Sequence, residues 1–347
     1  MNRHILLLLL FVACLYACTK DDFEGPALDS LFGDFSIVDS LEISTNTPDF
    51  ANNEEVTFYS KFTTIVDWKI SIKGLSSNSI KELSGFSNTI DPDVVSWNGS
   101  TSQVPFFQLE DCAIELTFEN YPDTLRDSLT VLGTKIYDGI VVADFEDGLP
   151  EDAVFWKQAG GNMTFETSND DPLEGETYFK MGGKVGWDWV LGSLDVPLTN
   201  MSEVTTTDPS NFYVNLGILS GINGAFADNQ FINILITESN TPFDDNSSNN
   251  ASDVFENDME VYQYKIQPVD WLGWQLKTFS YDMFEEKNTS NASVVYDRNP
   301  RDITAIRIQC QACPYNASSA CPSNEFIDVR TDVDFVVFTE NAGLLDQ

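Results

Sequence analysis

Short runs in which apolar and polar residues alternate dominate this chain. In the segment 67–73 the residues Trp68, Ile70 and Ile72 share one face, and polar residues occupy the positions between them. The segment 112–118 alternates in the same way. Period-two alternation is typical of β-strands with one buried face. Gly, Asn, Ser and Pro separate the runs, and no long segment keeps a helical period, so we predict an all-β chain.

A second set of alternating or apolar runs begins near residue 137. It opens with an apolar run at 140–143, which leads into the acidic turn Asp144-Phe145-Glu146-Asp147. Further strands are predicted at 212–218, 232–237, 260–266, 273–279, 303–310 and 333–339. The chain is longer than one ordinary domain. We therefore predict a first β-sandwich domain at 34–136 and a second all-β domain at 137–347.

The N-terminus carries the features of an export signal. Arg3 supplies a positive charge, 5–12 is an apolar run, and Leu15-Tyr16-Ala17-Cys18 closes it. The run is shorter than the about 20 residues that span a bilayer, which is typical of a signal peptide. We predict a lipoprotein signal peptide at 1–17, lipidation of Cys18 and a tether at 18–33. The alternative is a non-lipid signal with an incidental cysteine.

The net charge and the histidine content of the chain argue against several classes of function. The chain has 18 Lys and Arg against 55 Asp and Glu, a formal net charge of −37. Such a field disfavours nucleic acid as a partner and favours neutral glycans or calcium. His4 is the single histidine and lies in the predicted signal peptide. The mature chain therefore lacks the histidine of Ser-His-Asp, Cys-His and histidine–metal sites.

Several motifs resemble known families. Those of the first domain, which are Trp68, Trp97-Asn98-Gly99 and 110–118, resemble an immunoglobulin-like module. Those of the second domain, which are 144–147, Trp156, 273–275, 298–300 and 332–338, resemble a galactose-binding-like jelly roll, the fold of many carbohydrate-binding modules. The resemblance implies core positions for Trp156 and Trp274. The resemblance of the first domain implies a core position for its first tryptophan, and we assign structural roles to Trp68 and Trp97.

The combined organisation resembles the surface glycan-binding lipoproteins of Bacteroidetes, with a SusE/SusF-like role. The segment Thr19-Lys20-Asp21-Asp22-Phe23-Glu24 resembles the acidic tag that sends such lipoproteins to the outer face of the outer membrane. A plain charged tether is the alternative. The resemblance implies that the protein holds polysaccharide beside a SusC/SusD-type transporter and is not an enzyme.

Exposed aromatic side chains are the candidates for sugar contact. A strand through Trp187-Asp188-Trp189 would place both indoles on one face, and Trp271 lies in a predicted turn. Sugar rings stack on such indoles, so Trp187, Trp189 and Trp271 form the predicted glycan site. Core filling is the alternative for the first two, since tryptophan is highly buried on average.

Carboxylate pairs suggest a structural calcium ion. Asp144 and Glu146 are predicted on one face of the opening strand, and Asp332 and Asp334 on one face of the closing strand. Jelly rolls of the resembled family hold calcium with ligands from these strands, and Ca²⁺ takes several oxygen ligands. Because the chain is rich in acidic residues, chance pairs on solvated faces are the alternative.

The cysteines beyond Cys18 divide into two groups. Cys112 alternates with apolar residues and is predicted to be a buried thiol. Cys310, Cys313 and Cys321 lie near a loop, and export to an oxidising compartment favours a disulfide, for which we choose Cys313–Cys321. A zinc site with three thiolates and a carboxylate is the alternative.

These features predict a cell-surface lipoprotein that binds polysaccharide without cleaving it and presents it to an uptake system. A surface glycoside hydrolase or lyase using carboxylates is the first alternative, because two such groups can act without histidine. A structural or adhesion lipoprotein is the second.

Overall fold

The structure is a computed structural model that describes residues 34–159, 163–185, 189–199, 201–221, 230–239, 259–313 and 328–346. The residues of the predicted signal peptide, lipidation site and tether, 1–33, lie outside the described residues. Within the described ranges, no helix has the length and apolar character needed to cross a membrane.

The first domain contains one six-stranded antiparallel sheet, here called sheet I. Its strands are β1 (Ile37–Ile43), β2 (Val56–Gly74), β3 (Ile80–Ile90), β4 (Ser96–Trp97), β5 (Asp111–Phe118) and β6 (Tyr121–Thr130). The long β2 pairs with β1, β3, β4 and β5, and β6 pairs with β5. β2 is therefore the strand around which the first domain is organised.

Alternation along β2 produces the core of this domain. Trp68, Ile70 and Ile72 are buried, while Lys69 and Lys73 are exposed, as the period-two pattern predicts. Trp97 is also buried, and its indole N–H donates a hydrogen bond to the Ser100 carbonyl oxygen at 2.8 Å. Their burial confirms the structural assignment of Trp68 and Trp97.

The second domain contains two six-stranded antiparallel sheets. Sheet II has the order β15-β12-β18-β10-β9, with β7 also paired to β18, and sheet III has the order β16-β14-β13-β17-β11-β8. Their strands are β7 (Ile140–Ala143), β8 (Val154–Lys157), β9 (Met163–Ser168), β10 (Tyr178–Lys184), β11 (Val190–Pro197), β12 (Phe212–Ser220), β13 (Gln230–Thr237), β14 (Val261–Ile266), β15 (Gly273–Ser280), β16 (Glu285–Glu286), β17 (Ala305–Ala312) and β18 (Asp328–Glu340).

Apolar residues from both sheets pack into one core. Leu194 and Ile308 of sheet III belong to the same buried cluster as Phe179, Val214 and Phe338 of sheet II. Helical structure in the described ranges is confined to single 3-10 turns at Phe50–Asn52, Met201–Glu203, Pro209–Asn211, Tyr281–Met283, Pro300–Asp302 and Leu344–Asp346. The prediction of an all-β chain is confirmed.

The opening strand of the second domain is shorter than predicted. β7 ends at Ala143, and Phe145 has a positive φ of 63°. This conformation turns the chain and buries the Phe145 ring, whose centroid lies 5.7 Å from that of Phe179. The strand geometry that placed Asp144 and Glu146 on one face is therefore wrong for this segment.

The two domains touch through Phe106. Its buried ring lies 5.0 Å from the Tyr137 ring and 5.4 Å from the Phe335 ring, measured between centroids. Its backbone N–H donates to the Leu173 carbonyl oxygen at 3.1 Å. The same small cluster contains Leu344. Phe106 thus anchors the first domain to the outer face of sheet II.

We expect Phe106→Ala to weaken this contact, because removing a buried phenyl ring typically costs about 3–5 kcal/mol. Scanning calorimetry of the full chain should show the two domains melting further apart in temperature than in the parent protein. Phe86→Ala is the matched control, since that ring is 69% exposed. Identical melting profiles for Phe106→Ala and the parent would show that the domains are not coupled through this ring.

Candidate functional site

Sheet III has polar side chains on the face that points away from the core. On β13, Ile232 and Ile234 belong to the core cluster, so the intervening Asn233 points to the opposite face. On β17, Ile306 and Ile308 belong to the same cluster, and Arg307 points away from it by the same alternation. The polar residues of different strands therefore share the outer face of sheet III.

Strand register brings five of these residues into one line, which we call the transverse row. The Cα partners run from Trp156 on β8 to Ser193 on β11, Gln309 on β17, Asn233 on β13 and Lys265 on β14. The row crosses five strands at right angles to the chain direction. It places an aromatic ring at one end, an ammonium group at the other and amides between them.

The amides of the row are bonded to one another. Asn233 Nδ2 donates to Gln309 Oε1 at 3.0 Å, and Gln311 Nε2 donates to the same oxygen at 2.8 Å. Among the described residues, Asn233 Oδ1 is buried and accepts no hydrogen bond. The network therefore fixes the Asn233 amide and leaves its buried acceptor oxygen without a hydrogen bond in the described chain.

A buried ion pair lies beside the transverse row. Arg307 donates from Nε to Asp195 Oδ1 and from Nη2 to Asp195 Oδ2, the second bond measuring 2.6 Å. The side chains are only 3% and 4% exposed. Burial raises the pKa of Asp195, and the charge of Arg307 opposes that rise. Because each charge needs the other, this pair fixes β11 against β17.

Exposed groups form the rim of this face. Trp189 is 42% exposed, and its ring centroid lies 6.1 Å from that of Phe231. Lys265 Nζ lies 5.1 Å from the Phe231 centroid. Trp156, which the family resemblance placed in the core, is half-buried on the outer face, because its neighbour Phe155 packs inward against Phe165. The core assignment of Trp156 is therefore wrong.

The three predicted glycan-binding tryptophans do not form one site. Trp187 lies outside the described residues, and Trp189 lies at the rim of sheet III. Trp271 packs against the main core, and its indole N–H donates to the Ile218 carbonyl oxygen of sheet II at 3.2 Å. Lys277 Nζ also lies 4.1 Å from the Trp271 ring centroid. Trp271 is thus a packing residue of the other sheet.

Trp274 also differs from its expected position. It lies on the outer side of sheet II, its ring centroid 5.3 Å from that of Tyr178. It packs against the small cluster that holds Phe106, and its indole N–H donates to the Asp171 carbonyl oxygen at 2.7 Å. The main core of the second domain does not include it.

The predicted calcium ligands have other partners. Asp334 accepts backbone N–H bonds from Leu173, Glu174 and Phe335, and Glu146 accepts them from Glu176 and Thr177. Burial raises the pKa of Asp334 to about 8 and that of Glu174 to about 7.

Asp332, another of the predicted calcium ligands, has a different kind of partner. Asp332 accepts a bond from the Arg330 Nε at 2.6 Å, which gives it a cationic partner already. Asp144 and Glu146 both lie near Glu174. Burial is the main cause of the raised pKa of Glu174, and the charges of Glu146 and Asp144 raise it further. The structure therefore does not gather Asp144, Glu146, Asp332 and Asp334 into one ligand set. Calcium binding itself stays a prediction.

A different carboxylate group meets the distance that a metal needs. Within the described ranges, only Glu238, Glu260 and Asp297 bring three such ligand atoms within 4.8 Å of one another. Glu238 accepts hydrogen bonds from the Tyr281 hydroxyl at 2.7 Å and the Asn299 N–H at 3.0 Å. Both oxygens of this buried carboxylate thus have partners in the protein.

The cysteines partly follow the prediction. Cys112 and Cys310 are free and buried, and burial raises the pKa of each thiol to about 12. Cys313 is disulfide-bonded. Its predicted partner Cys321 lies outside the described residues, so that pairing stays a prediction.

Comparisons with known proteins give distant structural similarities. No protein-family model matches the chain, and a search of curated proteins finds no match. A solved structure of carbohydrate-binding modules from the beta-sandwich superfamily is 12% identical, with a TM-score of 0.36, over 89% of this chain and 99% of that chain. A family 11 carbohydrate-binding module from a cellulosomal cellulase of Clostridium thermocellum is 12% identical, with a TM-score of 0.34, over 59% of this chain and 96% of that one.

An adhesin domain is among the similar structures as well. The K3 cleaved adhesin domain of Lys-gingipain from Porphyromonas gingivalis is 11% identical, with a TM-score of 0.32, over 58% of this chain and all of that one (100%). These identities and TM-scores are low, so the function has to be argued from the residues of the site.

Sequence reasoning missed Asp195, Asn233, Arg307 and Gln309. Each lies at an alternate position of an otherwise apolar strand, as in Ile306-Arg307-Ile308-Gln309. That pattern was visible in the sequence. The pairing of the strands, which brings the polar positions together, was not.

The buried Glu238 makes a pH dependence testable. Burial raises the pKa of Glu238 to about 8 from its ordinary 4.5. The folded state therefore holds a proton that the unfolded state releases, and the free energy of unfolding should fall as pH rises from about 4.5 to about 8. One such group contributes at most about 1.4 kcal/mol per pH unit.

Glu238→Gln should reduce this fall, because the amide does not titrate. Urea unfolding across that pH window measures the slope for the parent, for Glu238→Gln and for the exposed control Glu203→Gln. An unchanged slope in Glu238→Gln would contradict the raised pKa.

Proposed function

We propose that this protein is a lipid-anchored surface protein that binds polysaccharide, without cleaving it, on the outer face of sheet III. The observation that carries the proposal is the transverse row, which sets Trp156, two amides and Lys265 in one line across the sheet.

The chemistry of the row suits a sugar chain. The C–H faces of a pyranose pack on aromatic rings, and its hydroxyls pair with amide oxygens and nitrogens. Trp189 and Lys265 are exposed, so a ligand first meets the rim there. Asn233 and Gln309 are buried beneath this rim, at 5% and 2% exposed, so Trp156, Trp189 and Lys265 make the proposed contacts with the glycan.

Binding without cleavage suits the carboxylate chemistry of this face. Glycoside hydrolysis needs two carboxyl groups that are free to act across the glycosidic bond. On the outer face of sheet III, Asp195 is held in its ion pair with Arg307.

The membrane part of the proposal rests on the sequence. The apolar run and Leu15-Tyr16-Ala17-Cys18 support lipidation at Cys18, and Lys20-Asp21-Asp22 supports export to the cell surface. Delivery of the bound glycan to a SusC/SusD-type transporter, and a structural calcium ion, are parts of the proposal that rest on family resemblance.

The glycan site is tested with single tryptophan variants of the lipid-free chain. Affinity electrophoresis on a panel of neutral polysaccharides identifies a ligand, and calorimetry then measures its affinity. Trp156→Ala and Trp189→Ala should each weaken binding roughly five- to thirtyfold, the factor for a loss of about 1–2 kcal/mol, and leave the melting temperature nearly unchanged.

Trp271→Ala is the matched control. It should lower the melting temperature, because Trp271 packs against the main core, and it should leave affinity unchanged. Release of reducing sugar from the ligand would favour the hydrolase alternative. Absence of binding to every glycan on the panel would favour the structural or adhesion alternative.

The anchor is tested separately in cells. Cys18→Ser should abolish labelling with a radioactive fatty acid and release the protein from the membrane fraction, because the thiol is the lipid acceptor. Cys112→Ser is the control, since that thiol is buried in the first domain. Full labelling of Cys18→Ser would rule out lipidation at this residue.

A further inference from the structure

A depression on the outer face of sheet II lies on the opposite side of the sandwich from the transverse row. Its volume is about 310 Å³, which leaves room for one monosaccharide residue. The residues that line it come from β9, β10 and β18: Thr164, Lys180, Gly182, Gly183, Asp328, Val329, Arg330 and Asp332. It is separate from the proposed glycan face in both sheet and side chains.

Arg330 is held in a fixed position at this depression. Its Nε donates to the buried Asp332 at 2.6 Å, and its Nη2 donates to the Tyr178 hydroxyl at 2.8 Å. The Asp332 side chain is 0% exposed, whereas that of Arg330 is 39% exposed. No hydrogen bond among the described residues uses Arg330 Nη1. The guanidinium group is therefore oriented in advance, with one edge open.

Lys180 supplies a second cation. Alternation along β10 puts the core residues Phe179 and Met181 inward and Lys180 outward. Within the described ranges Lys180 makes no ion pair, and its nearest ring is Tyr178, whose centroid is 5.9 Å from Nζ. Burial raises the pKa of Asp332, and the charges of Arg330 and Lys180 oppose that rise, so both cations of the depression lie near one buried carboxylate.

Gly182 provides the space between these groups. It is the next outward position on β10 after Lys180 and pairs with Arg330 on β18 and Thr164 on β9. A Cβ atom at Gly182 would lie 2.3 Å from the Val329 carbonyl oxygen. The backbones therefore approach so closely that only glycine fits, and the missing side chain leaves the floor open.

We propose that this depression binds a single uronate residue, a sugar ring that carries a carboxylate. Arg330 Nη1 and Lys180 Nζ are the donors for the carboxylate, and charge-assisted bonds of this kind are the stronger ones. Thr164 and the exposed Asp328 at the rim are the partners for ring hydroxyls. The site extends the proposed function to acidic residues of a glycan and does not depend on the other face.

The negative net charge does not oppose this local contact. Charges beyond about 8 Å are largely screened at physiological salt, so the groups that touch the ligand decide. Four carboxylates lie near the two cations: Asp332, which is engaged by Arg330, Asp170, whose charge also acts on Arg330, Asp328 at the rim, and Glu166 opposite Lys180 on β9. A ligand with both a carboxylate and hydroxyls matches this combination of cations and carboxylates better than a simple anion does.

The test uses the lipid-free full chain and trigalacturonate as the probe, with titration calorimetry. Fully methyl-esterified trigalacturonate has the same rings without charge and should bind at least about tenfold more weakly. Lys180→Gln should weaken trigalacturonate binding by a similar factor while the melting temperature stays unchanged. Lys61→Gln removes an exposed lysine of the first domain and should leave the affinity as in the parent.

The outcomes separate this site from the proposed glycan face. Trp189→Ala should leave trigalacturonate binding intact, and Lys180→Gln should leave neutral-glycan binding intact. Absence of trigalacturonate binding, equal binding of the methyl ester, or full affinity in Lys180→Gln would each overturn the proposal.

Discussion

Backbone pairing of β18 with partners on both sides is the interaction that the second domain depends on. β18 pairs with β10 along one edge, with β12 along the other, and with β7 near its end. Its inward residues, such as Val333 and Phe338, fill the core. Among its outward residues, Phe335 contacts the first domain and Asp332 lines the depression. One strand thus connects the core, the domain contact and the second candidate site.

The two candidate sites arise because both sheets carry polar groups on the faces that do not form the core. On sheet III the polar groups are bonded to one another and lie deep, with exposed aromatic and cationic groups at the rim. On sheet II a glycine opens a hollow beside an arginine held by a buried carboxylate. Burial makes each bond matter, because an unpaired polar group is costly away from water. The same geometry that stabilises the strands therefore also orients the groups offered to a ligand.

Much of the fold could be predicted from alternation, because burial on one face repeats every second residue. β12, β13 and β15 lie close to their expected places, and the buried face of β2 is the predicted one, whereas β18 begins five residues before its predicted start. Side-chain roles that depend on strand partners could not be predicted. Trp156 faces outward because it pairs with Ser193, whose neighbour Leu194 fills the core. Asp332 has an ion-pair partner on its own strand, Arg330. The local sequence shows the period-two alternation of each strand, whereas the register between strands is set by pairing with segments far away in the sequence.

β18 pairs with strands that lie far from it along the sequence, and this separation affects how the protein folds. Phe179 pairs with Val333, and Gly217 pairs with Asp334, so sheet II is closed by residues far apart along the chain. Such contacts raise the contact order, and chains dominated by non-local pairing fold slowly. Until β18 docks, β10 and β12 both present unpaired edges. Assembly of the second domain therefore passes through a period in which open edges invite association with other chains, and the acidic surface repels those chains.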